Sequence, residues 1–125
     1  MTTQAKKLSL YLETSVWNFV YADEVKRKLL EDLIRDYNPV QLQSNKDVER
    51  LSDAYLKANI VPKKFPEDVI HIAFAVAHGL DVVISWNLKH IVRLKTRMVV
   101  NGVNKLLGYR EIEIATPEEV IGYGT

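Results

Sequence analysis

Residues 67–91, EDVIHIAFAVAHGLDVVISWNLKHI, decide the fold. The first half, Glu67 to His78, carries apolar side chains on most sides (Val69, Ile70, Ile72, Ala73, Val76, Ala77), the pattern of a largely buried helix. Pro66 suits its first turn and Gly79 its stop. The second half, Asp81 to Trp86, reads as a strand apolar on both faces, as a central strand of a parallel sheet requires. A buried helix feeding a buried strand is half of a βαβ unit, so the rest of the chain should supply neighbouring strands and covering helices.

It does so on both sides. Upstream, Leu8 to Leu12 is a short apolar run suited to a buried strand, ending at Glu13-Thr14-Ser15. Residues 15–24 look helical, with Thr14 or Ser15 as the cap and Trp17, Val20 and Tyr21 on one face. From Glu24 a second helix repeats Val25, Leu29, Leu33 and Tyr37, with Leu30 and Ile34 alongside, until Asn38-Pro39 ends it. Val40 to Leu42 can form a short strand. Ser44 or Asn45 then caps a helix striped by Val48, Leu51, Tyr55 and Ala58. Downstream, a helix over Ile91 to Leu107 closes at Gly108, Glu111 to Ala115 alternates as a strand, and Thr116-Pro117-Glu118-Glu119 is a capping box opening a last helix. The expected fold is a three-layer α/β/α domain with a mainly parallel sheet, one domain over residues 1–125.

A chain of 125 residues buries roughly two-thirds of its unfolded surface and needs no covalent staples. With no cysteine there is no disulfide, no thiolate zinc site and no cysteine nucleophile. Residues 1–7 are polar, and the longest apolar runs are too short to span a bilayer, so a soluble, cytoplasmic protein with no membrane role is expected. The net charge of +1 argues against a general affinity for polyanions. Its distribution is uneven, however: from Val82 to Arg110 there are six Lys or Arg and no acid. Such a stretch is either a solvated helix face or a contact for a phosphate backbone, with Lys89, Arg93, Lys95 and Arg97 as the RNA-binding candidates.

In parallel sheets ligands sit outside the carboxyl ends of the strands, which singles out Glu13, Thr14 and Ser15 after the first strand and Ser85 to His90 after the central one. Asp68, in the first turn of the buried helix, lies where the macrodipole favours a carboxylate. Glu13, Asp68 and the amide oxygen of Asn87 would make an oxygen-rich site suited to Mg²⁺ or Mn²⁺ and to phosphodiester hydrolysis. His71, one turn after Asp68, and His90 are accessory candidates with Thr14, Ser15 and Lys89, whereas His78 suits the end of its helix. Trp17 and Trp86 read as core or rim packing. No Gly-rich phosphate loop, histidine zinc spacing or serine-hydrolase elbow is present.

YLETSVWNF, EDVIHIAFAVAHGLDVVISWNLKHI and TPEEVIGYG together resemble a subgroup of the PIN-domain superfamily, metal-dependent ribonucleases that include many toxins of toxin–antitoxin pairs. The resemblance implies that Glu13 stands at the first-strand acid, Asp68 at the acid opening the D-x-x-H-I-A-like helix, and Asn87, here neutral, at a fourth acid. It also implies a gap, because Tyr21-Ala22-Asp23 runs straight into Glu24-Val25-Lys26 where relatives carry a further helix, strand and helix. The missing piece is on the order of 30 residues, about one βαβ unit, and Glu24 is a weak stand-in for the metal-ligand Glu lost with it. Two functions follow as expectations: a Mg²⁺- or Mn²⁺-dependent ribonuclease of reduced activity, or a degenerate, non-catalytic module that binds RNA or an antitoxin-like protein. The gap would remove a strand that neighbours the first one and leave a parallel edge uncovered, so a homodimer or swapped arrangement is expected to cover it.

Overall fold

The computed structural model describes residues 8–18, 24–37 and 42–121. Three short strands, β1 (Leu10–Leu12), β2 (Val82–Ile84) and β3 (Glu113–Ala115), form a parallel sheet in the order β1-β2-β3. The register rows are Leu10–Val82–Glu113, Tyr11–Val83–Ile114 and Leu12–Ile84–Ala115. Strand alternation divides these residues between two cores. Tyr11, Val83 and Ile114 face α3 (Lys46–Lys57), α4 (Pro66–Ala77) and α5 (Leu94–Leu107), whose apolar residues Leu51, Tyr55, Ile72 and Val100 fill that layer. Leu10, Leu12, Val82, Ile84 and Ala115 face Val16 of α1 (Thr14–Asn18), Leu30 and Leu33 of α2 (Glu24–Tyr37) and Val120 of α6 (Pro117–Ile121). The chain is therefore α/β, with helices on both faces of the sheet, and β2 is buried along its whole length as its sequence demands.

The sequence signals at the element ends hold for several elements. Asn45 caps α3, its side chain accepting from the Val48 amide at 2.9 Å. Pro66 opens α4, and Gly79 and Gly108 take the left-handed conformations that end α4 and α5 (φ 69° and 84°). Thr116 bonds the Glu119 amide, at 3.4 Å. Replacing Asn45 by Ala leaves that amide without its acceptor and should cost about 1 kcal/mol, read as a lower urea midpoint at unchanged slope.

Three expectations need correction. The helix after β2 begins at Leu94 rather than Ile91, because residues 88–93 fold into turns: Ile91 and Val92 amides both reach the Asn87 carbonyl, and Thr96 donates to the His90 carbonyl. On α2 the spacing-four stripe is rotated. Leu30 and Leu33 are buried, whereas Val25 is 70% and Ile34 39% exposed. The cap of α1 is Glu13 and neither hydroxyl residue. The Glu13 carbonyl takes the Val16 amide and its carboxylate takes the Ser15 amide. Val20 and Tyr21, the stop at Asn38-Pro39 and most of the strand expected over 40–42 lie outside the described residues, and Leu42 itself is not in a strand. Among the described residues β1 pairs with β2 alone, and no helix is long and apolar enough to cross a membrane.

Candidate functional site

The ladder runs one residue past the strand ends, the Glu13 amide donating to Ile84 O at 2.9 Å and the Ser85 amide to Ala115 O at 3.0 Å. Glu13 and Ser85 thus emerge side by side at the carboxyl rim. Both continue the alternation that points Tyr11 and Val83 toward α4. Their side chains meet: Ser85 Oγ donates to Glu13 Oε2 at 2.6 Å, and Ser15 Oγ and the Ser15 amide donate to the same oxygen at 2.6 and 3.1 Å. Each hydroxyl also accepts a backbone N–H, Ser15 Oγ from Trp86 and Ser85 Oγ from Asn87, both at 2.9 Å. A 5%-exposed carboxylate therefore ties the starts of two loops together, and Ser85 is wholly buried beneath it. Glu13 Oε1 makes no hydrogen bond among the described residues and is the oxygen left for a ligand.

Asp68 reaches the same rim from the first turn of α4 and is 6% exposed. Its Oδ2 bonds His90 Nδ1 at 2.9 Å, and its Oδ1 takes a long contact of 3.4 Å from the Asn87 amide nitrogen. Burial raises the Asp68 pKa; the His90 hydrogen bond and charge oppose this, and the nearby charges of Glu67 and Glu13 add to it. With Nδ1–H given to Asp68, His90 leaves Nε2 as its second nitrogen, and Phe65 packs against the ring at 4.8 Å between centroids.

His71 lies one turn along α4, bridging Tyr11 OH to Nδ1 at 2.7 Å and Thr14 Oγ1 to Nε2 at 3.1 Å. Burial, and after it the Glu13 charge, raise the Tyr11 pKa and keep the phenol protonated. The Tyr11 hydroxyl can thus donate to Nδ1 while Nε2–H donates to Thr14. His71 is in this way a strut between β1, α1 and α4.

The sequence-derived set falls into groups. Glu13 and Ser15 form one hydrogen-bonded cluster, Asp68, Asn87 and His90 a second, and Thr14 and His71 a third; Glu13 and Asp68 are close enough for their charges to interact. Asn87 is turned away from the expected role. Its Oδ1 accepts the His90 amide at 3.0 Å, so the nitrogen end, not the oxygen, faces Asp68. Of the basic candidates, Lys89 and Lys95 are exposed and Arg97 is partly exposed. Arg93 is spent on the protein itself, bonding Thr96 Oγ1 and the Ile60 carbonyl. His78 is the C-cap of α4, its backbone N–H bonding the Phe74 and Val76 carbonyls, while its ring stacks on Phe74 and reaches the Gln43 carbonyl at 2.7 Å. Trp86 holds both Glu118 oxygens at 2.9 Å with Lys26 over its ring, a rim clasp onto α6, and Trp17 is 47% exposed. Tyr11 and Ser85 matter more than their sequence signal suggested. That signal was positional: they alternate with, or pair beside, Glu13.

A hard cation tests this donor set. Mg²⁺ commonly binds through one or two carboxylates and keeps its waters for substrate phosphates. Glu13 and Asp68 are the two rim carboxylates that could hold one such hydrated ion, their charges being close enough to interact. Among the described residues no three His, Asp or Glu side chains group so as to hold a metal ion. A separate groove of about 480 Å³, lined by Leu8, Asp81, Val82, Glu113, Ala115, Glu119 and Val120, opens away from Glu13. Comparisons of the chain with protein-family models, with curated proteins and with solved structures find no match.

Proposed function

We propose that the chain is a shortened PIN-like domain whose rim holds one hydrated Mg²⁺ or Mn²⁺ and slowly hydrolyses RNA phosphodiester bonds. The observation that carries this reading is the charge on Asp68. Burial, and after it the charges of Glu67 and Glu13, disfavour its ionised form more than His90 offsets, so a cation bound between Asp68 and Glu13 would relieve the imbalance. Support also comes from the PIN-like motifs YLETSVWNF and EDVIHIAFAVAHGLDVVISWNLKHI, whose acids Glu13 and Asp68 lie just after β1 and in the first turn of α4.

Glu13 Oε1 and Asp68 Oδ1 would hold the ion, which when bound supplies Lewis-acid activation of water and of the leaving oxygen. The protein's own groups do the rest. Ser15 and Ser85 fix Glu13 so that only one of its oxygens is offered outward. Asp68 orients His90 with Nε2 away from the carboxylate, where the ring can hold a proton or donate to a phosphate oxygen. Lys89, exposed and next to His90 in the chain, extends the basic approach for the strand. A homodimer closing the β1 edge belongs to the same reading.

A second reading, a non-catalytic module binding RNA or an antitoxin-like partner, draws on Asn87. Its amide nitrogen already occupies the position beside Asp68 where a relative would carry a further acid. A fluorogenic single-stranded RNA with 5 mM Mg²⁺ or, separately, 5 mM Mn²⁺ distinguishes the two. The first predicts cleavage abolished by chelation and by Glu13→Gln. No cleavage with either metal, alongside retained RNA binding, selects the second.

A further inference from the structure

Helix α5 presents a second feature, independent of the rim. Leu94, Met98, Gly102 and Leu106 follow one another at intervals of four and form a single ridge on its outer side. The three side chains are 65%, 65% and 86% exposed, an unusual concentration of solvated aliphatic surface on one helix. Gly102 sits mid-ridge. A Cβ there would meet nothing within 4 Å, and its φ is not positive, so neither packing nor backbone geometry in this chain calls for glycine. Glycine is also the poorest helix former after proline. What it provides is a notch through which another backbone can approach closely.

The charges on the helix itself are of one sign. Lys95, Arg97 and Lys105 line the ridge, and α5 contains no acidic residue. A groove of about 370 Å³ runs beside it, lined by Arg97, Met98, Asn101, Gly102, Lys105 and Glu111, two cations to one acid. Two copies packing ridge to ridge would set these cations against one another, which disfavours self-association through this face. Single-stranded RNA is recognised by aromatic stacking as well as by charge, and this ridge is aliphatic.

We propose that the outer face of α5 docks an acidic amphipathic helix of another protein, its apolar ridge seated on Leu94, Met98 and Leu106 across the Gly102 notch and its carboxylates on Lys95, Arg97 and Lys105. At 14 residues α5 is about 21 Å long, so the contact falls below standard interface size and affinity is modest.

The test uses a fluorescein-labelled, amidated 18-residue peptide with Leu at every fourth position flanked by Glu, and a control of equal charge with each Leu replaced by Gln. Anisotropy titration of the whole protein should give a Kd of about 10–100 µM for the Leu peptide and at least tenfold weaker binding of the control. Met98→Glu and Gly102→Leu should each weaken binding about tenfold, both sites being open to solvent, while circular-dichroism melts show each variant folded. Gly102→Leu should melt at or above the wild-type temperature. The proposal is overturned by no saturable binding of the Leu peptide, by equal binding of the control, by wild-type affinity in Met98→Glu, by oligouridylate binding that Met98→Glu abolishes, or by a dimer in sedimentation that Met98→Glu disperses. None of these readouts involves the metal rim.

Discussion

Glu13→Ala is expected to lower the unfolding free energy by about 3 kcal/mol, roughly 10 °C in Tm for a domain of this size. The carboxylate Oε2 is the common acceptor for the Ser15 amide, the Ser15 hydroxyl and the Ser85 hydroxyl. Removing it strands three donors, one of them on a fully buried residue. Part of the loss is recoverable, because Ser15 Oγ and Ser85 Oγ are 3.2 Å apart and one hydroxyl can turn to the other. The remaining two donors, at about 1–2 kcal/mol each, set the size of the effect. Glu13→Gln keeps an acceptor oxygen and should cost about 1 kcal/mol, which makes it the variant for testing hydrolysis in a folded protein. Chemical denaturation of the three proteins checks this, and an Ala variant within 0.5 kcal/mol of wild type would show that Glu13 is not a structural hub. The candidate first-strand ligand is thus also the cap of α1, and any loss of activity in Glu13→Ala has to be separated from unfolding.

Much of the fold was legible because burial leaves a strong mark on sequence. Residues 67–91 could only be a buried helix feeding a buried strand, and Pro66, Gly79 and Gly108 punctuate it where the chain turns. The α2 stripe misled because Val25 and Leu29 share the spacing of Leu33 and Tyr37; which flank of an amphipathic helix meets the sheet depends on its partner, here α6, and not on periodicity. The late start of α5 was illegible for a similar reason. Apolar Ile91 and Val92 suit a helix equally well, but they are buried in turns pinned by Asn87 and Thr96. At the rim, topology alone indicated that Glu13 and Asp68 come from elements whose ends lie side by side, and their charges do interact. It could not show which end of the Asn87 amide faces Asp68, since that is set by the backbone N–H of His90 three residues later. Hydrogen-bond polarity of this kind is decided by loop geometry, which spacing does not encode.

Asp68→Asn is expected to remove hydrolysis, at least roughly 100-fold, without destabilising the metal-free protein at neutral pH. Ordinarily the loss of a buried, hydrogen-bonded carboxylate would be costly. Here burial is the larger influence and holds the Asp68 pKa above its ordinary value despite His90. The unfolded chain then ionises first, near pH 3.9. As pH rises from there through the raised native value, the native state binds the extra proton, and its stability falls; below the window the penalty is absent. Asparagine never ionises and keeps an oxygen for His90 Nδ1–H, so the variant should match or exceed wild type above the window, the difference shrinking toward pH 4. A bound dication reverses the balance by favouring the ionised form. If Kd is about 1 mM, 10 mM Mn²⁺ should stabilise wild type by about 1.4 kcal/mol, and EDTA should remove the gain. Asp68→Asn should not respond to the metal at all. Thermal melts across pH, with and without Mn²⁺, read both effects in one series. A variant less stable than wild type by more than 1 kcal/mol at pH 7.5 would mean that the Asp68–His90 pair is a structural ion pair. A variant still stabilised by Mn²⁺ would place the metal elsewhere.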